Sequence, residues 1–128
     1  MNVTSLPSLL AVSATETPVA RFRRVRAATL ALCSDLSSED AALQSMPDAS
    51  PAKWHLAHTT WFFEQFVLAR MPGYVQRDPD WAFLFNSYYQ SVGPMHARPQ
   101  RGILSRPGLD DVIAYRCRID TAMERLLD

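Results

Sequence analysis

Three stretches of this chain return their apolar residues at three- and four-residue spacing, the periodicity of helices packed along one face. The first runs from about Pro18 to Asp35, with Val19, Phe22, Val25, Ala28, Leu30 and Leu32 as its apolar stripe. The second opens at Ser50 as N-cap, places Pro51 where a missing N–H costs nothing, and continues to about Arg70 before "MPGY". The third begins near Leu109, carries Val112, Ile113, Ile119, Met123, Leu126 and Leu127 on one side, and runs to Asp128. Between the first two, "SSEDAALQSM" reads as a brief helix capped by Ser37 or Ser38, with Glu39 and Asp40 complementing its dipole. The third helix shows no glycine, asparagine or proline stop. The expected fold is therefore all-α, a four-helix bundle shortened to three main helices plus a long ordered loop over residues 18–128. Residues 1–17 are expected to form a flexible N-terminal arm.

Composition narrows the function classes. With 128 residues, 48% of them apolar, the chain can bury one core but has little room to enclose a pocket alone. Thirteen basic residues balance thirteen acidic ones, so no global field points to nucleic acid or an anionic membrane. Arg21, Arg23, Arg24 and Arg26 form a short basic patch, read as a solvated face of the first helix. Cys33 and Cys117 are far apart and belong to no Cys-x-x-Cys pair, which fits a reducing cytoplasm. The N-terminal apolar run lacks a basic region before it and is too short to span a bilayer.

Chemistry concentrates in "SPAKWHLAHTTWFFE", Ser50 to Glu64. On a helix His58 shares a face with Trp54, Trp61, Phe62 and Gln65, and His55 lies one turn away. Spacing alone allows the two histidines to chelate one metal. A metal site needs three or four ligands, and His96, the remaining histidine, lies on the long loop. That loop runs from Pro72 to Gly108 and is rich in aromatic residues, so it is expected to be packed and to wall a site. Within it "NSYY" offers the phenols of Tyr88 and Tyr89. The "RPQR" segment offers Arg98 and Arg101, whose forked guanidinium groups match a carboxylate.

Together, "SPAKWHLAHTTWFFEQFVL", "FLFNSYYQSVGPMHARPQRGILSRP" and "DVIAYRCRIDTAM" resemble the N-terminal DinB-like domain of the ergothioneine-biosynthesis sulfoxide synthase family (EgtB, hercynine oxygenase). The resemblance spans roughly residues 22–128. It implies a mononuclear non-haem Fe(II) enzyme that joins hercynine to cysteine or γ-glutamylcysteine using O2. It makes His58 an iron ligand and His55 a supporting residue beside Trp54 and Trp61. The other two ligands would come from a His-x-x-x-His stretch expected after Asp128, so the chain by itself is expected to be inactive. A formylglycine-generating-enzyme-like domain is expected to complete the pocket. Tyr88 or Tyr89 inherits a proton-donating role, and Arg98 or Arg101 the grip on the thiol substrate's carboxylate. Two other readings of the residues stand beside this one. They are a DinB-like metal-dependent thiol transferase and a non-catalytic interaction module, the latter covering its unfinished bundle face with a partner or as a homodimer.

Overall fold

The structure, a computed structural model, describes residues 15–128. The expected arm lies almost wholly outside the described residues. Among these residues five α-helices follow in order: α1 Pro18–Leu32, α2 Ser38–Ala42, α3 Ala52–Phe66, α4 Trp81–Phe85 and α5 Leu109–Leu127. Two 3-10 turns, Leu68–Arg70 and Arg98–Ile103, complete the regular structure, and no strand occurs among the described residues. The all-α expectation holds.

Local chemistry explains the boundaries. Thr17 caps α1 by accepting from the Ala20 N–H at 3.2 Å. Ser37 and Asp40 cap α2 reciprocally, each side chain accepting from the other's backbone N–H. The second long helix departs from expectation at both ends. Pro51 is its N-cap residue, without a side-chain cap hydrogen bond, and the α-helical ladder stops at Phe66 before the 3-10 turn. Ser50 instead accepts a hydrogen bond from Arg101.

The core sits mainly between α3 and α5, with α1 packed on α5. Leu56, Ala57 and Trp61 from α3 meet Val112, Tyr115, Ile119 and Met123 from α5, and Phe22 of α1 and Phe85 of α4 join them. Burying one large apolar side chain stabilises by about 1.5–3 kcal/mol, so this cluster supplies the main driving force for docking the helices. The expected stripe of α1 is only partly right. Phe22 and Ala28 are buried, but Val25, Leu30 and Leu32 are exposed.

Arg26, expected on a solvated face, is 6% exposed. Its Nε donates to Asp120 at 2.8 Å and its terminal nitrogens donate to Thr59 and Thr60. Arg116 is buried beside it and donates to the carbonyls of Leu56 and Arg26. These bonds tie α1, α3 and α5 together through one polar layer.

Candidate functional site

The site is organised by the C-terminal end of α4. A helix ends with carbonyl groups that have no partner inside the helix, and here three consecutive carbonyls receive side chains from elsewhere. Leu84 accepts from Trp54 Nε1 at 2.9 Å, Phe85 accepts from His58 Nδ1 at 2.6 Å, and Asn86 accepts from an Arg101 terminal nitrogen at 3.4 Å. The loop segment and α3 are thus fixed against each other by the residues that the sequence singles out.

The Phe85 contact also fixes the tautomer of His58, whose ring burial favours as neutral. A carbonyl can only accept, so Nδ1 carries the proton and the Nε2 lone pair is left as a donor to a ligand. The imidazole stacks on Trp54, with centroids 4.6 Å apart and planes 11° from parallel, and lies 5.9 Å from Trp61. The Arg101 guanidinium carbon stands 3.7 Å from the centre of the same Trp54 ring. One buried indole therefore positions both the histidine and the arginine.

These groups open onto a cavity of about 470 Å³. Its walls include Trp54, His55, His58, Tyr88, Tyr89, Arg98 and Arg101, together with Asp48, Ser50 and Ser87. Of the residues expected in the site, only Trp61 is not in the wall; it backs His58 from within the core. Sequence reasoning missed Ser50 and Asn86 as site residues. Asn86 holds the tyrosine turn by donating to the carbonyls of Tyr89 and Gly93 at 3.1 and 3.2 Å. Its place at the head of "NSYY" was a signal, since asparagine side chains commonly bridge turns.

The two tyrosines differ. Tyr88 adopts a left-handed backbone with φ of 66°, is 73% exposed, and has the Arg98 guanidinium 5.1 Å from its ring centre. A non-glycine residue in that region is uncommon, and such strain concentrates at functional turns. Tyr89 lies against Phe62 and Phe66, with centroid distances of 5.9 and 4.9 Å.

Electrostatics distinguish the cationic groups. Burial lowers the affinity of His58 for a proton, outweighing the opposing Phe85 hydrogen bond, with the Arg101 charge a further depressing cause. His55, though exposed at its surface, is likewise held below the usual histidine range by partial desolvation at the cavity wall and then by the charges of His58, Arg101 and Arg98. Arg101 is 2% exposed and is pushed down to about 10 by burial and by Arg98. It donates to Ser50 at 2.9 Å, and among the described residues its Nε has no acceptor and no carboxylate pairs with it. A buried guanidinium without a carboxylate partner, set in a cavity wall, has the charge and donor geometry that suit an anion.

His55 is exposed and meets Trp54 edge-on at 5.3 Å. His96 lies apart from the cavity wall, with its Nε2 donating to the Gln100 carbonyl at 2.9 Å. Among the described residues no group of three or more His, Cys, Asp or Glu side chains is arranged to hold a metal ion. His58 fits one corner of a metal site, with the Phe85 carbonyl already orienting its ring, but a complete donor set would need groups from outside the described residues. A larger groove of about 600 Å³ between α4 and α5, lined by Arg77, Asp78, Trp81 and Arg118, contains none of the expected residues.

The sequence model of the DinB superfamily matches residues 21–128. No curated protein matches the chain.

Proposed function

The chain belongs to the DinB superfamily, and we propose that its 470 Å³ cavity is one wall of the iron site of an O2-dependent sulfoxide synthase joining hercynine to a thiol, cysteine or γ-glutamylcysteine. The observation that carries this reading is the pairing of two prepared groups on one indole. His58 offers an Nε2 lone pair because burial favours the neutral ring and Nδ1–H is engaged by Phe85, and Arg101 offers a buried cation without an anionic partner among the described residues. A metal donor beside a carboxylate receptor suits a substrate that carries a thiol and a carboxylate on one small molecule.

In this reading His58 would be one of three histidines on Fe(II), the other two supplied by a His-x-x-x-His helix from outside the described residues. A ferrous ion bound there would supply the activation of O2. The rest is the work of this chain's own side chains. Arg101, with Arg98 at the rim, would hold the thiol substrate's carboxylate. The phenol of Tyr88 or Tyr89 would hold a proton at the cavity wall where negative charge develops. Trp54 and Trp61 would keep the imidazole in place and limit access of water. His55 would support the wall. No helix among the described residues is long and apolar enough to cross a membrane.

The experiment compares this chain with a polypeptide that continues past Asp128 through a His-x-x-x-His helix and a formylglycine-generating-enzyme-like domain. Fe(II) binding and hercynine- and thiol-dependent O2 uptake are expected only for the longer form. Metal-dependent thiol transfer without O2 uptake would favour a DinB-like transferase instead. A tight metal-free dimer with neither activity would favour an interaction module.

A further inference from the structure

The wall of the His58 cavity holds opposite charges side by side that do not pair. Asp48 is the one carboxylate among the described residues of that wall, which also carries Arg98 and Arg101. It sits at the tip of a tight turn, closed by the Ala49 N–H donating to the Met46 carbonyl at 3.1 Å, with Pro47 in the position that suits its fixed φ. The chain on both sides of Asp48 is tied to the turn that bears the arginines. The Gln44 side-chain amide donates to the carbonyls of Pro47 and Arg98 at 3.4 and 2.8 Å. On the other side Ser50 accepts from an Arg101 terminal nitrogen at 2.9 Å. Asp48 is nevertheless exposed, and among the described residues it forms no ion pair with either arginine or with any other cation.

Neutral partners keep these charges apart. The terminal nitrogens of Arg101 go to the Ser50 hydroxyl and the Asn86 carbonyl, and the Arg98 guanidinium lies against the Tyr88 ring. An α-amino acid carries its ammonium and its carboxylate on one carbon. Its receptor therefore needs an anion and a cation as near neighbours that do not neutralise each other. Arg101, buried and without a carboxylate partner among the described residues, suits the carboxylate. Asp48, at the exposed edge of the same wall, is an acceptor of matching charge for the ammonium.

We infer that Asp48 is the receptor for the α-ammonium group of the thiol substrate, so that Asp48 and Arg101 together select a free α-amino acid, cysteine, over a thiol whose nitrogen is acylated or missing. The inference rests on the reading that Arg101 takes the substrate's carboxylate, and it does not depend on iron.

The test titrates this chain, without metal, with reduced L-cysteine, with N-acetyl-L-cysteine and with 3-mercaptopropionate, followed in ¹H–¹⁵N spectra. Amides within residues 46–50 and 98–103 should shift saturably with cysteine. The two ligands that lack the ammonium should bind about three- to tenfold more weakly, the loss of one partly screened charged contact. Asp48→Asn, which suits the same turn position, should lower the affinity for cysteine by the same factor and leave that for 3-mercaptopropionate unchanged. Arg101→Met should weaken all three ligands. Equal wild-type affinities for cysteine and 3-mercaptopropionate, or no saturable response to cysteine, would overturn the inference. An Asp48→Asn variant that binds cysteine as wild type does, beside a weakened Arg101→Met, would overturn the inference alone. Unchanged binding in Arg101→Met would overturn the carboxylate reading and the inference with it.

Discussion

At the scale of single residues, the two histidines of α3 have different surroundings despite sitting one turn apart. His58 has its Nδ1 committed to Phe85 and its ring stacked on Trp54, whereas His55 is exposed and meets the indole only by its edge. Sequence spacing could pair them but could not see the Phe85 carbonyl, which lies 27 positions along the chain. Arg101 shows the other side of site construction. A buried cation without a carboxylate partner lowers stability unless a ligand compensates it. Arg101→Met should therefore leave the melting temperature unchanged or raise it, while weakening the binding of a carboxylate-bearing thiol in the complete enzyme about tenfold or more, the loss of at least one charged hydrogen bond. Calorimetry of the variant and titration with cysteine check both halves. A large loss of stability would mean that Arg101 serves the fold.

At the scale of elements, the three long helices were legible because burying an apolar stripe imposes its period on the sequence. The short α4 was not, because a single turn carries no period and is held by distant partners such as Trp54. Arg26 and Arg116 were unreadable for a related reason. Burial of a guanidinium depends on acceptors brought by other helices, and its own helix gives no sign of them. Two predictions belong here. An added Cβ at Gly102 would stand 2.7 Å from Gln44 Cβ. Gln44 joins the α2–α3 connection to the 3-10 turn through bonds to Arg98 and Gly102 at 2.8 and 2.7 Å. Gly102→Ala should thus cost about 1–2 kcal/mol by breaking one or both bonds, measurable by urea unfolding, and should displace the turn that carries Arg98 and Arg101.

The second concerns Glu64 of α3, which is 3% exposed and accepts from the phenols of Tyr74 and Tyr115 at 2.5 and 2.7 Å. Burial and the adjacent carboxylate hold both phenols well above the ordinary tyrosine range. Because the folded values are raised, the associated stability is fully present below about pH 10, the unfolded value. It is lost as pH rises above that, since the unfolded state releases protons that the folded state keeps. Tyrosinate absorbance of Tyr74 and Tyr115 should appear only with alkaline unfolding. Ionisation of either phenol in the folded protein, with the circular dichroism unchanged, would contradict this.

At the scale of the whole molecule, α1, α3 and α5 make a DinB superfamily bundle whose polar layer and apolar core leave one end of α3 open to the cavity. The fold class follows from periodicity, but the division of labour among site residues follows from how the long loop folds back onto α3. That return was foreseeable only as a packed aromatic excursion. Its consequence, that His58, Arg101, Tyr88 and Tyr89 share one cavity wall, became visible with the tertiary structure. The central claim is that His58 is this chain's metal donor and His55 is not. The most direct measurement is the Fe(II) content of the polypeptide extended past Asp128, purified as wild type, His58→Ala and His55→Ala and checked for equal helicity. The account predicts that His58→Ala loses bound iron while His55→Ala retains nearly all of it. Equal losses in the two variants, or full iron content in His58→Ala, would contradict it.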